Sequence, residues 1–204
     1  DLHRRRHSFP TRRLPIWELP WRQTTDPYAI WLSEVIMQQT KIAQGTAYWE
    51  RFIKRWPNVQ SLANATEDEV LREWQGLGYY SRARNLHKAA QQIVDLGHFP
   101  QTYNELIQLK GVGEYIAAAV YSIAFAGPVA VVDGNVYRVL ARFFGIEIPI
   151  DSTQGKKIFK AIAQDNLPKN APAAYNQGIM DFGAMQCTPT LPNCKVCPLI
   201  EYCF

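Results

Sequence analysis

Two acidic residues stand out by what surrounds them. Glu34 lies in an apolar segment, with Ile30, Met37 and Gln38 at its i−4, i+3 and i+4 positions. A carboxyl so placed loses water, which raises its pKa and suits it to hold a proton at neutral pH. Asp133 closes an apolar run, Pro128 to Val132, and precedes Gly134 and a helical pattern. Amide donors at the start of that helix are expected to keep its carboxylate ionised. The first group can protonate a leaving group and the second can stabilise an oxocarbenium-like centre, the division of labour that breaks a glycosidic bond. Each has a plainer alternative: Glu34 as a solvated glutamate on an outer face, Asp133 as an ordinary helix cap.

A second group of residues has the chemistry to touch a polyanion. In Leu109-Lys110-Gly111-Val112-Gly113 two glycines flank one apolar residue just before a helical pattern at Tyr115. Glycine tolerates positive φ and lets backbone approach a ligand closely. The helix behind the turn aims its N–H groups and positive dipole end at the same point. Lys110, Gly111, Val112 and Gly113 therefore form a candidate phosphate cradle without sequence preference, or simply a corner between helices. Gln38-Gln39 and Gly76-Leu77-Gly78-Tyr79-Tyr80 suggest a reading surface. Glutamine amides pair with base edges, and an aromatic ring on a glycine-flanked turn can wedge between bases when one is extruded. Tyr79, framed by Gly78, is expected to serve that surface, and Tyr80 to pack in the core. Arg82, Arg84, Asn85 and Lys88 follow as a phosphate-facing stripe or a wet helix face.

Cys187, Cys194, Cys197 and Cys203 are the four cysteines of the chain, spaced Cys-x6-Cys-x2-Cys-x5-Cys. Such clustering around one Cys-x2-Cys points to metal over disulfides in an intracellular protein. Zinc and a [4Fe-4S] cluster both accept four thiolates; the single short knuckle leans towards iron–sulfur.

The elements that must position these residues read as helices throughout. Asp26-Pro27 starts one, expected to run from Tyr28 to about Ala43 on the spacing of Tyr28, Trp31, Leu32 and Val35. Another spans about Gly45 to Arg55. Thr66-x-x-Glu69 and Thr102-x-x-Glu105 are capping boxes. Further helices are expected at about Ser81–Leu96, Tyr115–Ala126, Asn135–Phe144, Thr153–Gln164 and Ala171–Ala184. No alternating stretch competes, so the fold class is all-α, with roughly ten short helices. Residues 1–25 form a basic, proline-punctuated arm. Net charge is +4, mildly basic and compatible with a polyanion. Ile116 to Val132, broken by Gly127-Pro128, falls short of the roughly 20 residues of a membrane span. With no secretory signal, the expectation is an intracellular protein, cytoplasmic or at the nucleoid if bacterial, with no membrane partner and monomeric.

These motifs resemble those of the adenine DNA glycosylases of the MutY type, within the helix-hairpin-helix superfamily that includes endonuclease III. The resemblance runs from Leu19 to Cys203. It rests on Leu19-Pro20-Trp21-Arg22, Ser33 to Thr40, Gly76 to His87, Leu109 to Gly113, Val132 to Val136 and the cysteine spacing. It implies a helix-hairpin-helix glycosylase fold of two helical lobes, a six-helix barrel over 26–130 and a terminal lobe from 1–25 plus 131–204, with the iron–sulfur loop at 187–203. It implies a [4Fe-4S] cofactor on the four cysteines and double-stranded DNA containing a mispaired adenine as partner, running through a cleft where Glu34 and Asp133 meet. Glu34 would protonate adenine, Asp133 stabilise the sugar cation, Asn135 orient Asp133, and Tyr115 sit over the active site. Tyr79, Met37 and Gln39 would probe the opposite base; Leu19, Trp21, Arg22 and Gln177 would line the adenine pocket.

Relatives that also cut the strand carry a lysine at the position of Tyr115, which forms a Schiff base. A phenol cannot, so a monofunctional glycosylase is expected. Two departures stand out. Family members usually continue past the cluster into a domain that helps recognise 8-oxoguanine, whereas this sequence stops at Phe204, as a catalytic fragment or a short form would. Trp17 stands where the family has an arginine. The rival readings are a thymine or uracil mismatch glycosylase of the same superfamily and a non-catalytic iron–sulfur DNA-binding module.

Overall fold

The computed structural model describes residues 18–204; the expectations for Trp17 and the basic arm before it lie outside these. The described chain contains ten α-helices: α1 (Pro27–Met37), α2 (Ile42–Arg55), α3 (Val59–Ala63), α4 (Glu67–Trp74), α5 (Ser81–Leu96), α6 (Tyr103–Leu106), α7 (Glu114–Phe125), α8 (Gly134–Phe144), α9 (Thr153–Asp165) and α10 (Pro172–Met185). No strand occurs among the described residues. They divide into two compact units, Glu18–Gly127 and Pro128–Phe204.

Local chemistry starts and stops these helices. Asp26 caps α1 by accepting from the Tyr28 N–H at 3.0 Å, with Pro27 at the first helical position. Thr66 and Glu69 close the expected reciprocal capping box on α4, and Thr102 and Glu105 do the same on α6. Asn58 and Ser61 form a third on α3, which the sequence patterns did not reveal because that helix has only five residues. Gly97 ends α5 at φ 75°.

In the first unit α1 is central and packs on α2, α5 and α7. Tyr28, Ala29, Ile30, Trp31, Leu32, Ser33, Val35 and Ile36 are all buried, so no broad polar face remains on this helix. Phe52 is fully buried and meets Trp56 and Trp74 edge-on, with ring centroids 5.2 and 5.8 Å apart. Such pairs add to plain area burial. The turn Pro20–Arg22 also belongs to this unit. Trp21 is buried against Trp49, with ring centroids 5.6 Å apart. In the second unit α8 packs on α9 and α10, around Val136, Leu140, Phe143, Phe159, Tyr175, Ile179 and Phe182.

The first helix is shorter than its periodicity suggests. It stops at Met37, and Gln39 adopts a left-handed φ of 54° before α2 starts at Ile42. Replacing Phe52 by alanine should cost about 3–5 kcal/mol of stability by denaturant titration, through lost burial and the cavity left; a loss below about 1 kcal/mol would show that the aromatic cluster does not carry the core.

Candidate nucleic-acid interface and catalytic carboxylates

Asp133 is held by the segment before it and the helix after it. Residues 128–132 have no regular secondary structure and are fixed by side chains of α9 and α10. Asn176, fully buried, accepts from the Val131 N–H at 3.0 Å and donates to the Val129 carbonyl at 2.9 Å. Gln164 accepts from the Ala130 N–H at 3.0 Å and donates to the Pro128 carbonyl at 2.9 Å. These bonds satisfy a run of backbone that has no neighbouring strand. Asp133 then caps α8, its Oδ1 accepting from the Val136 N–H at 2.8 Å. Its Oδ2 accepts from the Asn135 side-chain amide at 2.8 Å. Arg138 donates from Nη2 to Asn135 Oδ1 at 2.8 Å and to the Gly183 carbonyl at 2.6 Å, and from Nε to the Cys187 carbonyl at 2.7 Å.

The donors expected around Asp133 are therefore present, but they do not bring its pKa down. Burial, the largest influence, pushes the carboxyl above the ordinary aspartate value in spite of Val136, Asn135 and the charge of Arg138. Local spacing reveals the donors; the removal of water is a property of the packed unit.

Glu34 lies on α1 in the first unit, half-buried among residues that are almost all buried. Tyr115 is half-buried in the first turn of α7. The hairpin before α7 uses only one of its glycines for conformational freedom. Gly111 has φ 76°, whereas Gly113 is an extended N-cap at φ −91° that any residue can adopt. No side-chain cap closes α7 there. The hairpin rests on α5: the Lys110 N–H donates to Gln92 Oε1 at 2.7 Å, and a Cβ on Gly111 would stand 2.6 Å from that of Asn85. Lys110, Gly111 and Gly113 are exposed and Val112 is buried beneath them. A cavity of about 70 Å³ is lined by Trp31, Gln38, Arg82, Asn85, Lys110 and Gly111, among others.

The two expected reading segments are neighbours in the first unit. Met37 is half-buried, and Gly45 of α2 lies so close to its thioether that a Cβ there would stand 2.5 Å from Met37 Cε. Gln38 is half-buried and Gln39 exposed. Tyr79 is 65% exposed and, like Gln39, left-handed, with φ 46°. Such a backbone costs a residue other than glycine about 1–2 kcal/mol, and strain of this kind concentrates at binding sites. Tyr80 is 40% exposed, correcting the expectation that it packs in the core. Gly76 to Tyr79 is braced by Trp74, whose Nε1–H donates to the Gly78 carbonyl at 3.0 Å, and by Tyr48, whose hydroxyl donates to the Gln75 carbonyl at 2.7 Å.

The α5 residues read as a phosphate-facing stripe or a wet helix face do not share one environment. Arg82 is half-buried, and its guanidinium bonds backbone carbonyls at the end of α1. Arg84 pairs with Glu67 at 3.2 Å, Asn85 supports the hairpin, and Lys88 is exposed. Of the expected pocket residues, Leu19 and Arg22 are half-buried and Trp21 is buried, all in the first unit. Gln177 is half-buried on α10 of the second.

All four cysteines are free thiols. Arg142 donates to Cys187 Sγ at 3.4 Å and to the carbonyls of Thr188 and Pro189 at 2.8 and 3.0 Å, so α8 clamps the start of the cysteine loop. Burial pushes the thiols of Cys197 and Cys203 up, and the other cysteines add to the effect. The four sulfurs thus lie within each other's electrostatic reach. No three His, Cys, Asp or Glu side chains converge on a single metal ion among the described residues. Thiolates placed together would repel one another and a cationic centre would relieve them, so the donor chemistry suits a thiolate-bound metal group although the side chains as placed do not converge on one.

Residues 32–167 match a family described as the helix-hairpin-helix HhH-GPD superfamily of base excision DNA repair proteins, and the chain belongs to it. Adenine DNA glycosylase of Homo sapiens is 41% identical over 197 residues, an alignment covering 91% of this chain and 36% of the human protein. Adenine DNA glycosylase of Buchnera aphidicola subsp. Schizaphis graminum is 37% identical, with 91% and 54% covered. The chain spans between about a third and a half of the length of these relatives. Among solved structures, a thermostable thymine-DNA glycosylase aligns with a TM-score of 0.84 at 27% identity, covering 92% of this chain and 87% of that one. Endonuclease III in a non-covalent complex with DNA aligns at 0.75 and 26%, covering 87% and 82%. No helix among the described residues is long and apolar enough to cross a membrane.

The raised pKa of Asp133 has a sign that can be measured. Below the unfolded aspartate value, about pH 4, both states carry the proton and burial costs nothing. As pH rises through the higher folded value, charge must be held without water and stability falls. Relative to the parent, Asp133→Asn should therefore gain stability between pH 4 and pH 8 in thermal unfolding. A difference that stays flat or shrinks over that range would show that the donors outweigh burial.

Proposed function

We propose that this chain removes adenine mispaired with 8-oxoguanine or guanine from double-stranded DNA, acting as a monomer by hydrolysis of the N-glycosidic bond of an extruded nucleotide. The observation that carries this reading is the Asp133 carboxyl, deprived of water yet gripped by the Val136 N–H and the Asn135 amide. A carboxylate held in fixed donors, with little water to reorganise, is well suited to stabilise a developing sugar cation. The names of the similar proteins, adenine DNA glycosylases of animal and bacterial origin, support adenine as the base.

Glu34 acts as the acid that protonates the departing adenine, and Asn135 keeps Asp133 oriented. Leu19, Trp21 and Arg22 of the first unit bind the extruded base, and Met37, Gln38, Gln39 and Tyr79 meet the base opposite. Lys110, Gly111, Val112 and Gly113 hold a backbone phosphate at the head of α7. Tyr115 offers no amine, so water takes the sugar carbon and an abasic site is left without a Schiff base. Cys187, Cys194, Cys197 and Cys203 would hold a [4Fe-4S] cluster. It would supply metal–thiolate bonds that tie down residues 187–203.

A thymine mismatch glycosylase is the second reading, favoured by one observation: the thymine-DNA glycosylase structure is matched over 87% of its length. Against it stand Glu34 and Gln38-Gln39, since protonation assists loss of a purine more than of a pyrimidine.

Duplexes carrying adenine opposite 8-oxoguanine, adenine opposite guanine, thymine opposite guanine and uracil opposite guanine separate these readings. Release of adenine from the first two supports the proposal. Release of thymine alone replaces it with the second reading, and binding without any release leaves a DNA-binding module. Glu34→Gln should lower single-turnover excision by at least about 100-fold while duplex affinity changes less than about threefold; equal loss of affinity would make the carboxyl structural. Affinity should also fall steeply with salt, because phosphate contacts release counterions. A flat response would contradict the hairpin's role.

A further inference from the structure

The end of α1 and the loop after α4 both leave backbone groups without a regular partner. Helix α1 has no basic residue in its own last turn. Its chain turns at Gln39, and the loop after α4 turns at Gly76, Gly78 and Tyr79, all in the left-handed region. Side chains from α2 and α4 brace the second loop: Gln44 donates to the Gly76 carbonyl at 3.3 Å, and Tyr48 and Trp74 bond Gln75 and Gly78. These bonds hold that loop alone.

We propose that Arg82 is a positioning residue that locks the Gln38–Thr40 turn and the Gly76–Tyr79 loop into one frame, and so sets discrimination of the base opposite the excised one. The proposal rests on the reading of Gln38, Gln39 and Tyr79 as the probe of that base. Arg82 Nη1 lies 3.3, 3.2 and 3.5 Å from the Val35 carbonyl, the Ile36 carbonyl and Thr40 Oγ1, and closer still to the Gln38 carbonyl. Two hydrogens are shared among four acceptors, and the cation also meets the negative end of the α1 dipole. Nη2 turns the other way and donates to the Leu77 carbonyl at 3.3 Å. The guanidinium carbon stands 5.2 Å from the ring centre of Trp74 and 5.6 Å from that of Tyr79. One planar group thus bonds both segments and stacks on the exposed tyrosine. Lysine cannot replace it, because a single ammonium has neither the fork nor the flat face.

The frame belongs to recognition and not to bond breaking. Arg82→Lys in the full chain should leave the saturating single-turnover rate for adenine opposite guanine within about threefold. It should lower the preference for 8-oxoguanine over guanine by at least about fivefold. In a Tyr79→Ala background the same substitution should change that preference no further, since both residues act through one element. Additive losses would overturn the proposal and leave Arg82 a general support. Hydrogen exchange on the free protein gives a readout independent of the base. Amides of residues 38–40 and 76–80 should exchange faster together, by about tenfold or more, while α8 to α10 are unchanged. Acceleration of one segment alone, or of neither, overturns the latch even if adenine is excised. If the parent chain releases no adenine, the functional reading fails while the exchange result still decides the latch. Arg82→Gln, which keeps a shorter planar donor, serves if the lysine variant does not fold.

Discussion

Irregular backbone in a small helical protein must still place its carbonyl groups, and in both units an arginine does this. In the first, the guanidinium of Arg82 receives the end of α1 together with Leu77 of a separate loop. In the second, Arg138 bonds the Gly183 and Cys187 carbonyls, and Arg142 bonds Thr188 and Pro189. A buried carbonyl without a donor costs as much as a lost hydrogen bond, and a charged donor makes a stronger bond than a neutral one. Each of these cations sits on the helix next to the segment it supports, so a rigid element fixes a flexible one. The segments held this way include those proposed above to act in recognition and in holding the cluster.

Asp133 obeys the same constraint from the acceptor side. Its two oxygens are committed to Val136 and Asn135, and Asn135 is committed in turn to Arg138. A carboxyl dissolved in water would reorient as charge develops beside it. This one has its donors in place and little solvent to rearrange, which is the condition under which an electrostatic stabiliser works well. Burial, which raises the Asp133 pKa in spite of these donors and the charge of Arg138, is the cost of that preorganisation.

The local part of this design was legible in the sequence. Capping boxes at Thr66–Glu69 and Thr102–Glu105 are defined by residues three apart, and their geometry follows from that spacing. The Asp133–Asn135 pair is likewise a near-neighbour arrangement. What periodicity could not reveal depends on partners distant in sequence. The pattern of Tyr28, Trp31, Leu32 and Val35 suggests a helix continuing to Ala43, yet it ends at Met37, where an arginine 44 residues beyond Gln38 receives the final carbonyls. Arg82 itself fitted a phosphate-facing stripe or a wet helix face equally well, because spacing carries no sign of the carbonyls it bonds. The only available signal was its place just after Gly76-Leu77-Gly78-Tyr79-Tyr80, where a loop in left-handed conformations needs an anchor. Tyr80 was misjudged for a related reason: two adjacent aromatic residues carry no mark of which one the turn exposes.

The left-handed backbone at Gln39 and Tyr79 bears on attempts to retarget base preference. A combinatorial library confined to these two side chains would vary them on a scaffold whose pitch and spacing are decided elsewhere. Larger substituents at either position would inherit the same torsional bias, and few would fit it. Productive diversification would have to include the supporting shell on the neighbouring helix, where changes shift the template itself.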